Sequence, residues 1–179
     1  MKNLYGYDMD KNLTKLDIDF NGEVLAQNRY AYDSNGNRTI KQQLRGTTYY
    51  TYDSINQLIN VKYPDYEEQL FYDKAGNRSK RIVNDVTEYY LYDKRNRLIR
   101  QVFQQPTGTT ARHYIYDNAG NLMNDGERIY KNDAFNRVTR VETTTGQVQI
   151  NRYDAEGLRY EMEENKKLVQ FIFNEIRKL

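Results

Sequence analysis

The residues of this chain best placed to do chemistry are its aspartates, and they recur. Asp stands at positions 8, 33, 53, 73, 93, 117, 133 and 154, and all but Asp133 follow a tyrosine. A shielded pair of such carboxylates could run acid–base or self-cleavage chemistry. The repetition argues for another role: a catalytic group is not needed eight times, whereas a turn former is needed once per structural repeat. An Asp that accepts a bond from the backbone two residues on starts a turn. Asp154-Ala155-Glu156-Gly157-Leu158 has the same turn pattern and is read the same way. His113 is the only histidine and Cys is absent, so the usual transition-metal ligand sets cannot be built. Asp8, Asp10 and Asn12 match the start of an EF-hand loop, but the required Gly and distal Glu are missing. No Ser or Thr has an identifiable base partner. The sequence therefore predicts no catalytic residue, no metal and no cofactor.

The aspartates sit in one recurring phrase: aromatic, Asp, two variable residues, then Gly or Asn. It reads Tyr32-Asp33-Ser34-Asn35-Gly36, Tyr52-Asp53-Ser54-Ile55-Asn56 and Tyr72-Asp73-Lys74-Ala75-Gly76. It continues as Tyr92-Asp93-Lys94-Arg95-Asn96 and Tyr116-Asp117-Asn118-Ala119-Gly120, with weaker copies ending at Asn136 and Gly157. The slot three residues after Asp alternates Gly36, Asn56, Gly76, Asn96, Gly120, Asn136, Gly157. Gly meets no Cβ penalty at positive φ, and Asn is the next most tolerant residue. That pattern predicts a type I turn closed by a G1 bulge. The copy at Asp8 departs, with Lys11 in the slot, and is expected to take a turn one residue longer. Corners of the two kinds alternate, which predicts a forty-residue double repeat. Residues such as Leu58, Leu98 and Val138 after the Asn corners are expected to be more buried than the Asn-Arg pairs after Gly36 and Gly76.

Strands must join these turns. Tyr30 and Tyr32 are two apart and share one face of a strand, and so do Tyr50/Tyr52, Tyr90/Tyr92 and Tyr114/Tyr116, with Leu70 beside Tyr72. A second turn family falls halfway between the first, at Asn21-Gly22, Arg45-Gly46, Pro64-Asp65, Asn84-Asp85, Pro106-Thr107-Gly108, Asp125-Gly126, Thr145-Gly146 and Asn165-Lys166. The two families predict an all-β chain: an antiparallel meander of roughly sixteen short strands forming a curved, spiralling strip. Residues 168–173 alternate and read as its last strand. Residues 1–173 are read as one array of about eight repeats, with 174–179 a charged tail.

Composition fits a thin sheet. Eighteen Tyr and six Phe accompany no Trp, and mean hydropathy is −1.00. Tyr covers a large area and keeps a polar tip in water, which suits half-buried faces. The 27 basic and 25 acidic residues nearly cancel, so electrostatics does not point to nucleic acid. No apolar run has the length of a membrane span, and the first residues carry no signal-peptide core. The regular tyrosines, with Arg38, Arg78, Arg97, Arg100, Arg137 and Arg159 near the turns, could stack on sugar rings or bases, but Tyr pairs at strand spacing are more often sheet packing.

The phrase Tyr-Asp-x-x-Gly-Asn-Arg or Tyr-Asp-x-x-Asn-x-Leu resembles the YD-repeat, or Rhs-repeat, family. Tyr32 to Arg38, Tyr52 to Val61, Tyr72 to Arg78, Tyr92 to Val102 and Tyr116 to Leu122 carry the resemblance, which covers almost the whole chain. The family includes Rhs polymorphic toxins, the C components of insecticidal toxin complexes, and teneurins. The resemblance implies a β-strip that winds into a shell around a toxin domain, outside the cell. It implies a non-catalytic segment of such a shell, whose partners are further YD repeats or a toxin or effector domain of a larger protein. Asp154 to Leu158 departs from the family's self-cleavage motif, Asp-Pro-x-Gly-Leu, and lacks its second copy. About eight repeats make only part of a turn of such a shell, so the strip is expected to leave open edges that invite self-association. The alternative reading is an adhesion module that binds glycans through its Tyr face.

Overall fold

The computed structural model describes residues 1–173, so the 174–179 tail lies outside the described residues. The chain is all-β, and within each of its two sheets every strand pairs antiparallel with its sequence neighbours. The first sheet has eleven strands: β1 Lys2–Tyr7, β2 Leu13–Phe20, β3 Glu23–Tyr32, β4 Arg38–Gln43, β5 Gly46–Tyr52, β6 Leu58–Lys62, β7 Glu67–Tyr72, β8 Arg78–Val83, β9 Val86–Tyr92, β10 Leu98–Gln105 and β11 Gly108–His113. The second has seven: β12 Ile115–Tyr116, β13 Leu122–Asn124, β14 Arg128–Asn132, β15 Val138–Thr143, β16 Val148–Tyr153, β17 Arg159–Glu164 and β18 Lys167–Gln170. Spatial order equals chain order in both, and neither sheet closes on itself. The extra strands beyond the expected sixteen arise partly because Tyr114 interrupts what the sequence reads as one strand, giving β11 and β12. The last strand ends at Gln170, earlier than the alternation to Phe173 predicts. By compactness the chain divides into two units, Met1–Tyr90 with Val102–Thr110, and Leu91–Gln101 with Ala111–Leu179.

Two kinds of turn alternate along the meander. We call the Asp-initiated ones corners and the others tips. The tips Asn21-Gly22 and Asn165-Lys166 hold both residues at positive φ, 53° with 87° and 48° with 68°. They join Phe20 opposite Glu23 and Glu164 opposite Lys167, the arrangement of a two-residue type I′ hairpin. The tip between β6 and β7 is longer, and there Tyr63 and Tyr66 stack with ring centroids 4.2 Å apart.

A single layer of sheet has little interior. Val61 and Leu70 are the only buried apolar residues among those described, at 2 % and 4 % exposure. They lie on the face that carries Tyr50 and Tyr72: Val61 pairs with Tyr50, and Leu70 is two residues from Tyr72. Asn28, Thr48 and Asn151 are buried as well. Burying an amide without partners costs roughly 1–3 kcal/mol, and both asparagines are satisfied. Asn28 donates to the Leu16 carbonyl and accepts from Gln43, and Asn151 donates to the Val138 carbonyl and accepts from Gln149. With so little apolar burial, the order of the array rests on its hydrogen bonds and side-chain ladders.

Candidate functional site

The corners are built alike. The amide three residues after Asp donates to the Asp carbonyl, and the Asp amide donates to the carbonyl four residues on; for Asp73 these are Gly76 at 3.1 Å and Asn77 at 2.8 Å. Asp33, Asp53, Asp73, Asp93, Asp117, Asp133 and Asp154 all show this pair. The strand register shifts by one residue beside the Tyr in the pairs at Tyr32, Tyr52 and Tyr72, as a bulge requires. Gly36, Asn56, Gly76, Asn96, Gly120, Asn136 and Gly157 have φ of 81°, 64°, 84°, 58°, 94°, 62° and 83°. All seven slots are left-handed.

The first corner corrects one expectation. Asp8 does not open a longer turn. The Lys11 amide donates to the Asp8 carbonyl, the Asp8 amide donates to Asn12, and Lys11 itself takes the left-handed slot at φ 66°. The Asp8 carboxylate, held by the Asn12 amide and side chain, outweighs the cost of a Cβ at positive φ. One of the expected tips, at Thr145-Gly146, is built like a corner. Thr143 makes the same backbone pair with Gly146 and Gln147, and its hydroxyl accepts from the Gln147 amide where a carboxylate stands elsewhere.

Each carboxylate is committed to its corner. Asp73 Oδ1 accepts from the Ala75 and Asn77 amides at 2.8 and 2.9 Å, and Oδ2 accepts from the Asn77 side chain at 3.1 Å. These bonds favour the charged form. The Asn77 backbone bond, then its side chain, hold Asp73 below the usual carboxylate value, and Asn37, Arg97 and Asn121 do the same for Asp33, Asp93 and Asp117. Asp154 accepts from the Glu156 and Leu158 amides in the same manner. A base or nucleophile needs a free lone pair aimed at substrate, and these oxygens face their own backbone.

Five of the tyrosines that precede a corner Asp tie successive repeats. The Tyr32 hydroxyl donates to the Leu13 carbonyl, Tyr52 to Arg38, Tyr72 to Leu58, Tyr116 to Leu98 and Tyr153 to Val138, at 2.8 to 3.0 Å. In every case the acceptor lies five residues after the preceding corner's Asp. Phe could fill the same space but could not make this bond. A second tie runs along the corners. Asn56 Oδ1 accepts from Asn35 and Asn37 of the corner before it, and Asn136 Oδ1 accepts from Asn121. Arg97 and Arg137 reach the other way, to the Asp117 and Asp154 carbonyls at 3.4 Å.

These ties follow the alternation of Gly and Asn in part. An Asn corner sends its slot side chain back to the preceding corner. At two of the Gly corners the long side chain of the corner before lies close, with Gln57 Nε2 and Arg137 Nη1 3.5 and 3.7 Å from where a Cβ of Gly76 and Gly157 would sit, while the space at Gly36 and Gly120 is open. Burial follows the same alternation: Leu58, Leu98 and Val138 are half-buried, whereas Arg38 and Arg78 are exposed.

Within each unit the tyrosines share a face of their strands. Tyr30, Tyr32, Tyr50, Tyr52, Tyr72, Tyr90, Tyr92, Tyr114 and Tyr116 are all half-buried, and Tyr130 joins them in a repeat whose second rung is Asn132. Arginines lie over several rings: Arg38 over Tyr50, Arg97 over Tyr116 and Arg137 over Tyr153, each 4.8 Å from the centroid. Such contacts contribute about 0.5–1 kcal/mol at exposed sites, and here they join neighbouring repeats. The same face holds a charged cluster that spacing alone did not reveal. Arg81 bonds Glu68 at 2.7 Å and Glu88 at 3.0 Å, and the Tyr90 hydroxyl donates to Glu88. Burial, and then the Glu88 bond, push the Tyr90 hydroxyl up to about 12. His113 is exposed at the end of β11. No helix among the described residues is long and apolar enough to cross a membrane.

No family model and no curated protein matches the chain. Solved structures do share its fold. A chain in the crystal structure of TcdB2-TccC3-TEV is similar at a TM-score of 0.64 and 14 % identity, over 89 % of this chain and 11 % of that one. A chain in the Photorhabdus luminescens Tc holotoxin pore is similar at a TM-score of 0.58 and 15 % identity, over 90 % of this chain and 10 % of that one. A third, in the crystal structure of TcdB2-TccC3-Cdc42, matches at a TM-score of 0.51 and 15 % identity. The chain thus spans about a tenth of the length of the proteins whose fold it shares.

Proposed function

We propose that this chain is a non-catalytic structural scaffold, a segment of a YD-repeat shell that encloses or presents a toxin or effector domain outside the cell. One observation carries the reading. The groups at the corners that could do chemistry are spent on structure: the carboxylates accept from their own turns, and five tyrosine hydroxyls bond carbonyls of the preceding repeat. An array of that kind makes a continuous wall of hairpins that could not stand singly. The similarity in fold to chains of Tc toxin structures supports the same reading.

Limited proteolysis of the chain in its native coding context tests it. The scaffold reading expects a flanking segment to resist protease beside the intact array, and to be cut once Gly76→Val disrupts a corner. Equal cleavage in both proteins contradicts it. Two side measurements separate the other readings. Binding on a glycan array would favour the adhesion module, and loss of the intact 21.4 kDa mass on incubation would favour a self-cleaving enzyme.

A further inference from the structure

Strand β1 is built as an inner strand yet lies at the margin of its sheet. It carries the two rungs of the tyrosine face, Tyr5 and Tyr7, at the same distances before Asp8 as Tyr30 and Tyr32 before Asp33. Elsewhere those rungs are half-buried by the repeat before them. Here Tyr5 is 56 % and Tyr7 61 % exposed, Leu4 beside them is 42 % exposed, and the Tyr7 hydroxyl meets no acceptor among the described residues. Asn3-Leu4-Tyr5-Gly6-Tyr7 has no charge and no proline to guard the edge, and its one irregularity is the register shift at Gly6/Tyr7, which the inner strands share beside their own Tyr.

We propose that the outer edge of β1 is an acceptor site for one antiparallel strand of another YD repeat, namely the strand that follows a corner. The inference rests on the scaffold reading and names the partner for this edge. The established contact between repeats dictates the occupant. In five copies the tyrosine before Asp meets the carbonyl five residues beyond the previous corner's Asp, and for Tyr32, Tyr52, Tyr72 and Tyr153 that carbonyl is on the adjacent strand. Continuing that rule by one repeat puts such a carbonyl opposite the Tyr7 hydroxyl, and the incoming strand covers Tyr5. A second copy of this chain does not fit. Its strands that follow corners are all paired on both sides, and its other marginal strands follow none: β11 and β18 follow tips, and β12 follows β11 directly. Main-chain bonds at the edge would give affinity, and Tyr7 would set the register.

A peptide of residues 53–62 tests this, because it holds one corner, strand β6 and the Leu58 carbonyl that Tyr72 uses in the intact array. The labelled peptide is titrated into the full chain by fluorescence anisotropy, and amide exchange of the complex is mapped. The proposal expects saturable binding, slowed exchange confined to residues 2–7, and an affinity about 2–10-fold weaker in Tyr7→Phe. Tyr52→Phe, which removes an equivalent hydroxyl inside the array, must leave the affinity unchanged. A scrambled peptide that binds as well, slowed exchange elsewhere, equal affinity in Tyr7→Phe, or no binding at millimolar peptide each overturns it. Concentration-dependent slowing at β1 without peptide also overturns it, because a second copy would then hold the edge. Failure here leaves the protease-protection result for the flanking segment standing, so the two readings fall separately.

Discussion

The Tyr72 hydroxyl donates to the Leu58 carbonyl at 2.8 Å, joining the end of one repeat to the start of the strand before it. That bond gives a physical reason for the Tyr in the Tyr-Asp pair. Asp turns the chain, and Tyr holds the turned chain to its neighbour. Tyr72→Phe keeps the ring and leaves the carbonyl without its donor. We expect it to cost about 0.5–1.5 kcal/mol in urea unfolding. Tyr89→Phe, an exposed ring on the opposite face, should cost nothing measurable.

The left-handed slots give opposite signs at two positions. Gly76→Ala places a Cβ at φ 84° and should lose about 1–2 kcal/mol. Lys11→Gly removes a Cβ from φ 66° and should gain about 0.5–1 kcal/mol. Thermal unfolding of the two variants beside the parent checks both signs.

Acid should loosen the corners. Asp33, Asp73, Asp93 and Asp117 are held below the ordinary value of 3.8 by bonds that their charged forms accept. A depressed folded value means the contribution is complete above the unfolded value and is lost as pH falls through the folded one. Stability should therefore decline below about pH 4, and Asp73→Asn should flatten that decline while lowering stability at neutral pH. Urea midpoints from pH 7 down to 2.5 measure both effects.

Alkali should act at Tyr90. Its hydroxyl is raised to about 12 by burial and the bond to Glu88, so the contribution is complete below pH 10 and is lost between there and 12. In a spectrophotometric titration, Tyr90→Phe should remove the latest-ionising tyrosine. Glu88→Gln should move that step earlier.

How far the sequence reaches depends on how local each cause is. The corners were legible because Asp, the slot and the closing residue lie within five positions, as in Asp73 to Asn77. The meander was legible because its turns recur at half the period. The alternation of Gly and Asn was visible but not the contacts of Asn56, which meets Asn35 and Asn37 only once the strands are in register. The turn at Thr145-Gly146 was legible but its corner-like build was not, because a hydroxyl does the work of a carboxylate there. Lys11 was misjudged because the Asn12 clasp on Asp8 outweighs its backbone cost. The Arg81 cluster was hidden because Glu68 and Glu88 lie on strands either side of it, 13 and 7 residues away.

Native-state hydrogen exchange in Tyr72→Phe is the most direct test of the claim that repeats are closed by their neighbours. Faster exchange on both sides of the lost bond, in β6 as well as in β7 and β8, is the predicted result. Acceleration confined to the hairpin that carries Tyr72, with β6 as protected as in the parent, would contradict it.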